Sequence, residues 1–390
     1  MATEAQQALN REDYNAAIPL LQKIAAARPS EPMTHFELGY SYSELKRNNE
    51  AAAEYRRALE LNPSLAAAHV NLGLVLLDSD PAAALESFKH AEALLPGQGQ
   101  PHYLAAQALE RSGKALDALT EYQSAVDLAP KDGAMRFAFG RALLNAGRDA
   151  DAETQFRAGA ALPGDASQSL LGLAEVLGRE KKQAEAADEF AAYLEKKPAD
   201  RGARFERAVT LGDLNRFDDA IAELDRLAKD GTPTGDELKL RGSIYLEQKK
   251  WTEAAATLQK AKEASANDPE VLGDLGRAQI ELHNYSEATA TLRQAVAIDP
   301  TQVAALRSLA EADYLSGAYG AMLTTLALVE KREPLRPMDW FFRAICNEKL
   351  GQKTQALDAY KRFLSEDHKG NPDQEWQAQQ RVNALSKELR

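Results

Sequence analysis

Residues 51–63 read AAAEYRRALELNP, and the same skeleton returns along nearly the whole chain. Pro63, Pro96, Pro130 and Pro300 each close such a stretch, with Ala51, Ala84, Ala118 and Ala288 standing 12 residues before them. Four residues after each alanine comes a large side chain: Tyr55, Phe88, Tyr122 or Leu292. Three further on stands a second alanine: Ala58, Ala91, Ala125 or Ala295. Positions i, i+4 and i+7 share one face of a helix, so these residues form a packing face. Upstream, Leu38-Gly39, Leu72-Gly73 and Leu275-Gly276 recur where a preceding helix would turn inward. Self-similarity at about 34 residues marks a stacked solenoid whose unit is a helix, a turn and a second helix.

The residues at these spacings resemble the tetratricopeptide repeat. In the first full unit they are Leu38, Gly39, Tyr42, Ala51, Tyr55, Ala58 and Pro63. The resemblance covers roughly residues 1–368 and recurs about ten times, which makes it specific. It implies an all-α fold, a right-handed superhelical solenoid of antiparallel helical hairpins with a concave groove. It also implies scaffolding or peptide binding, and it leaves the partner unnamed.

Composition agrees with helix-on-helix packing. Alanine and leucine dominate the 44% apolar residues, aromatics are 7%, and β-branched runs are missing. At 390 residues an ordinary chain would divide into two or three globular domains, but a repeat array grows by adding units to its neighbours. The net charge of −12 argues against a nucleic-acid backbone or an anionic membrane surface as partner, because both need a basic stripe. Cys346 is the only cysteine, so no internal disulfide forms and the redox compartment stays open. No apolar run approaches the 18 or so residues of a spanning helix. No basic-then-apolar leader opens the chain. It begins inside a repeat, since Ala17, Leu21 and Pro29 match a second helix whose first helix, around residues 3–10, is short. We expect a trimmed or mature N-terminus; a cytoplasmic and an exported protein both fit.

Four segments are expected. Residues 1–31 are a partial or divergent repeat, 32–234 the N-terminal part of the array, 235–370 its C-terminal part, and 371–390 a capping helix. The second unit is one residue short around Asp78-Ser79-Asp80-Pro81. The rhythm is expected to break at Lys229–Gly235, rich in turn formers with Thr232 in the proline position. A second break, of roughly three extra residues, is expected at Ala264-Ser265-Ala266-Asn267-Asp268-Pro269. Both read as loop variation or as a change of superhelical pitch. Asn371-Pro372-Asp373 is a good helix start. The helix it opens puts Trp376, Val382, Leu385 and Leu389 on one side and gives the array the polar terminal face it needs.

No catalytic constellation emerges. His35, His69 and His102 occupy the same position of three consecutive repeats. Equivalent positions lie at least a helix-packing distance apart, about 8–10 Å. Metal–nitrogen bonds are about 2 Å, so the three cannot share one ion. They are expected to fill a slot where the family often carries a large residue, as Trp340 does in the last repeat. Gly97-Gln98-Gly99 has no preceding strand and no following Lys-Ser/Thr, so it is no phosphate loop. Cys346, beside Ala344 and Ile345, reads as an inert buried thiol. Carboxylate pairs such as Glu37 and Glu44 are ordinary on a solvated helix. The expectation is a non-enzyme without cofactor or metal.

What the resemblance implies for binding is a groove lined by the first helix of each unit. Its positions hold Phe36 and Tyr40, Val70 and Leu74, Tyr103 and Gln107, then Phe137 and Arg141, with Asn71 where the family often places a backbone-binding asparagine. Further along they become Gln168, Glu175, Gly202, Phe205, Lys239, Arg277, Arg307 and Glu311. The groove is thus aromatic early and charged late. The expected ligand-contacting set is Phe36, Tyr40, Asn71, Leu74, Tyr103, Gln107, Phe137 and Arg141; the alternative is that several of these rings pack between repeats. One functional reading is a module binding a protein or peptide segment in the groove. The other is an assembly protein that self-associates, or holds a larger complex, through its outer surface or ends. A regulatory region of a larger enzyme is a third, weaker reading. The two-carboxylate clamp for acidic chaperone tails, made of Lys, Asn, Asn, Lys and Arg, is matched here only by Asn71, so that ligand is not expected.

Overall fold

The computed structural model describes residues 2–265, 267–366 and 370–389. Internal contacts divide the chain into two units, Met1–Ala203 and Arg204–Arg390. The first contains α1 (Ala2–Asn10), α2 (Tyr14–Ala27), α3 (Pro32–Glu44), α4 (Asn48–Leu61), α5 (Ala66–Leu76) and α6 (Pro81–Leu94). It continues with α7 (Gly99–Arg111), α8 (Ala115–Leu128), α9 (Gly133–Asn145), α10 (Asp149–Ala160), α11 (Ser167–Arg179) and α12 (Gln183–Lys196). Helix α13 (Arg201–Asp213) contains the division point. The second unit then has α14 (Phe217–Asp230), α15 (Gly235–Glu247), α16 (Trp251–Ala264), α17 (Pro269–Glu281) and α18 (Tyr285–Ile298). It ends with α19 (Val303–Leu315), α20 (Tyr319–Glu330), α21 (Pro337–Lys349), α22 (Lys353–Glu366) and α23 (Pro372–Glu388). Among the described residues there is no strand, as expected for an all-α array of helical hairpins.

The recurring residues make one kind of contact throughout. Ala51, Ala84, Ala118 and Ala288 are fully buried, as are Ala58, Ala91, Ala125 and Ala295. Small side chains there let the second helix of one hairpin approach the next. The large residue between them lies flat on the glycine of the first helix. Phe156, fully buried, has a glycine on both sides, the recurring one of its own hairpin and a second in the next. A Cβ at Gly140 would stand 2.5 Å from its ring, and one at Gly172 in the next hairpin 2.6 Å.

The turn inside each hairpin carries the repeat in its backbone. In these turns the left-handed residues are Glu12 and Lys46, then Gly113, Gly147, Lys181, Asn215, Lys249, His283, Gly317 and Gly351, while Gly164, also at positive φ, lies between hairpins. From Gly113 onward they stand 34 residues apart without exception, and the first helices from α7 to α21 start at the same interval. The three extra residues expected at 264–269 are therefore not there. Asp268 simply caps α17, its carboxylate accepting from the Glu270 and Val271 N–H groups at 2.8 and 3.2 Å; Ala266 lies outside the described residues. At 229–235 the turn formers end α14 and start α15. Thr234 Oγ1 accepts from the Glu237 N–H while the Glu237 carboxylate accepts from the Thr234 N–H, both at 3.2 Å, a capping box. The short second unit is seen directly, since α5 has 11 residues where α3 has 13.

A polar clasp joins the two helices of several hairpins at a constant separation of 19 residues. It is His35–Glu54 at 2.7 Å, His102–Glu121 at 2.8 Å, Arg136–Gln155 at 3.0 Å and Arg204–Glu223 at 2.9 Å. The first-helix slot expected to hold a large filler thus holds a hydrogen-bonding group in these repeats. His69 differs: its Nε2 bonds the Pro63 carbonyl at 3.0 Å and its ring stacks on His90 at 5.0 Å.

Helix α23 packs on α22 through Ala378 and Leu385, both buried, with Val382 beside them. Trp376 does not join that face and is 66% exposed. It stands nine residues before Leu385, two and a half turns of helix, so it points to the opposite side.

Candidate peptide-binding surface

The expected contact residues all lie on first helices of the first unit: Phe36 and Tyr40 on α3, Asn71 and Leu74 on α5, Tyr103 and Gln107 on α7, Phe137 and Arg141 on α9. Phe36, Tyr103 and Phe137 are half-buried and fill space inside their own hairpins. Each leans on the large residue of the second helix: Phe36 on Tyr55 at 5.8 Å, Tyr103 on Tyr122 and Phe137 on Phe156 at 6.0 Å. The Tyr55 hydroxyl lies 3.4 Å from Ser43 Oγ. Burial is the main reason the Tyr55 and Tyr103 phenols are pushed above their ordinary range. Arg141 is ion-paired with Glu175 of α11, another predicted groove position. Tyr40 and Leu74 remain most open, at 40% and 45% exposure, with Tyr40 set edge-on to Tyr14 at 5.9 Å. All eight expected residues thus lie on first helices, and several of the rings fill the core of their own hairpins.

A better-formed recess lies in the second unit, between α19 and α21. It is a cavity of about 400 Å³, walled by Tyr314, Met338 and Phe342 and floored by Met322 and Leu326 of α20. The Tyr314 and Phe342 rings meet at 4.8 Å. On the polar side, Arg307 is held by Glu333 at 2.6 Å and by Asp339. Exposed Arg336 stands at the edge, with no ion pair among the described residues. Glu311 also lines the cavity; burial, then Glu281, pushes its carboxyl above the ordinary range. The recess has the size, apolar walls and few polar groups of a site for one bulky side chain. Sequence reading found Arg307 and Glu311 but not the rings. Phe342 stands one position after the place that Arg307 holds in the preceding repeat, while Tyr314 follows Glu311 by three residues on the same helix; the signal that could have found them is their clustering with Met338 near the end of the array.

The chain belongs to the tetratricopeptide repeat family. Models described as "Tetratricopeptide repeat" match residues 103–166, 137–201 and 205–269, residues 245–331, and residues 343–367, and one described as "TPR repeat" matches 39–79. Such an array is a protein–protein interaction scaffold, generally non-catalytic. A curated relative, "Protein CTR9 homolog" of Arabidopsis thaliana, is 38% identical over 79 residues, 20% of this chain and 7% of that protein. The chain therefore spans only a small part of that relative's length. Among solved structures, YrrB, described as "a TPR protein with an unusual peptide-binding site", is 22% identical with a TM-score of 0.41, covering 47% of this chain and 95% of its own. A tetratricopeptide repeat protein from Parabacteroides merdae is 19% identical with a TM-score of 0.43, covering 64% and 98%. Yeast Tom70 is 11% identical with a TM-score of 0.38, covering 99% and 95%. No helix among the described residues is long and apolar enough to cross a membrane.

Proposed function

We propose that this protein is a binding scaffold that holds an extended segment of a partner protein along its first helices. The observation that carries the reading is the α19–α21 cavity, which combines aromatic and methionine walls with Arg336, whose guanidinium has no ion pair among the described residues. That combination suits a bulky apolar side chain followed by a carboxylate: the ring walls supply contact area and the arginine a charge-assisted bond. In the first unit, Tyr40 and Leu74 offer the open contact surface, with Phe36, Tyr103 and Phe137 as its floor and Asn71, Gln107 and Arg141 as its polar groups. A fluorescence-anisotropy screen of acidic, aromatic-containing peptides tests the reading. Met338→Ala with Phe342→Ala, and separately Tyr40→Ala with Leu74→Ala, are compared with the wild type. Loss of more than tenfold in affinity in one pair locates the site. Equal affinity in both pairs, with helicity intact, refutes it. Exposed Trp376 on α23 favours the second reading, self-association, which predicts a larger species by light scattering that Trp376→Ser abolishes.

A further inference from the structure

We propose that Glu92, His102 and Glu121 form a site for a divalent transition-metal ion of the zinc class, joining α6, α7 and α8. His102 Nδ1 and one oxygen from each carboxylate lie within 4.8 Å of one another. Nδ1 is 2.8 Å from Glu121 Oε2 and 3.6 Å from Glu92 Oε1. Bonds of about 2.0–2.2 Å to a tetrahedral ion place its ligands roughly 3.3–3.5 Å apart. Seating an ion would part Nδ1 and Glu121 Oε2 slightly and draw the two carboxylate oxygens, now within 4.8 Å, to about 3.5 Å, leaving a fourth position for water. One imidazole with two carboxylates suits zinc, cobalt or manganese better than calcium or magnesium, which take all-oxygen sets.

The strongest sign that something is wanted there is Glu92 Oε1. It is shut off from solvent and has no hydrogen-bond partner, on a side chain only 11% exposed. A bound cation would satisfy that oxygen directly. Lys89 bonds the outer oxygens, Glu92 Oε2 at 2.8 Å and Glu121 Oε1. It therefore aims Glu92 Oε1 and Glu121 Oε2 at the imidazole, as outer groups around metals do. Its single positive charge leaves two carboxylates half neutralised. As a like charge it also opposes the metal, so moderate affinity is expected.

The same molecule supplies a control. His35–Glu54 is the identical clasp, but the residue ten before His35 is Ala25, where His102 has Glu92. Two ligands remain there instead of three. The rule that His35, His69 and His102 cannot share an ion still holds; the proposed ligands are one histidine and two carboxylates from adjoining helices.

The test is titration of the tag-free full chain with Zn²⁺ by calorimetry and with Co²⁺ by visible absorption, up to about 1 mM. One equivalent should bind, with a tetrahedral cobalt band and a zinc-dependent rise in melting temperature. His102→Gln and Glu121→Gln should each weaken binding more than tenfold, while His35→Gln should leave it unchanged. Should His102→Gln lose helicity, Glu92→Gln, which keeps the side-chain shape, takes its place with the same expected loss. No binding by the wild type at 1 mM, wild-type affinity in the folded variants, or equal loss in His35→Gln would overturn the proposal.

Discussion

Two glycines of α11 should respond oppositely to the same substitution. Gly172→Ala places a Cβ 2.6 Å from the Phe156 ring, where carbon atoms ordinarily stand about 3.5–4.0 Å apart. The ring must retreat by roughly 1 Å. It cannot, because it is fully buried and its other side lies on Gly140, where a Cβ would meet it at 2.5 Å. Overpacking of this kind is worth about 1–3 kcal/mol, against a helix-propensity gain of at most about 1 kcal/mol. The net expectation is destabilisation by about 1–2 kcal/mol. At Gly178 the nearest atom to a new Cβ is Gln183 Oε1 at 4.0 Å, so Gly178→Ala feels only the propensity term and should stabilise by about 0.5 kcal/mol. Because arrays unfold in pieces, urea melts followed by circular dichroism should be joined to hydrogen exchange of the α10–α11 amides. If both changes move α11 in the same direction, the close-approach argument for Gly172 and Phe156 is wrong.

Lys249 sits at a φ of 57° in a hairpin turn, so Lys249→Gly should raise stability by about 0.5–1 kcal/mol in a thermal melt; a lower melting temperature would show that the strain is absent. Glu153 is held down to about 2, from an ordinary 4.5, first by Lys182 and also by Arg157. A depressed acid stabilises the fold above its unfolded value and loses that contribution as pH falls from about 4.5 towards 2, so Glu153→Gln should flatten the acid limb of a pH–stability curve. An unchanged limb would mean that the pairing has no thermodynamic weight. Removing residues 372–390 should uncover Tyr360 and Phe363, each burial being worth about 1.5–3 kcal/mol, and cause aggregation visible by size-exclusion chromatography. A monomer with an unshifted melt would contradict the capping role.

The fold was legible because one packing solution is repeated: alanine, large residue, alanine on one helix and glycine on its partner recur in the sequence as they recur in space. Boundaries were less legible where composition was read as length. The Ala264–Pro269 segment has the makeup of an insertion, yet α16 ends at Ala264 and α17 starts at Pro269 on the common interval, so the count is kept. The expected contact residues were placed by the sequence to the level of the helix and no finer. Spacing says which face of α3 or α7 turns inward, but not how far Phe36 or Tyr103 sinks before meeting Tyr55 or Tyr122. Trp376 failed for a simpler reason: its apolar character suggested burial, although its angular position relative to Leu385 forbids it.

The unbroken cadence of left-handed turns has a consequence for how such a chain can change length. Thr234 and Asp268 hold the same place, one residue ahead of a first helix, and each caps it. Excising residues 235–268 would set Thr234 directly before Pro269, giving that helix a threonine cap in place of an aspartate. Every later contact would keep its spacing, with Leu292 still resting on Gly276. An excision of 33 or 35 residues would instead rotate the following helix by about 100° and turn its glycine away from the side chain it accommodates. The array is in this sense digital: it tolerates whole units gained or lost, and resists the single residue.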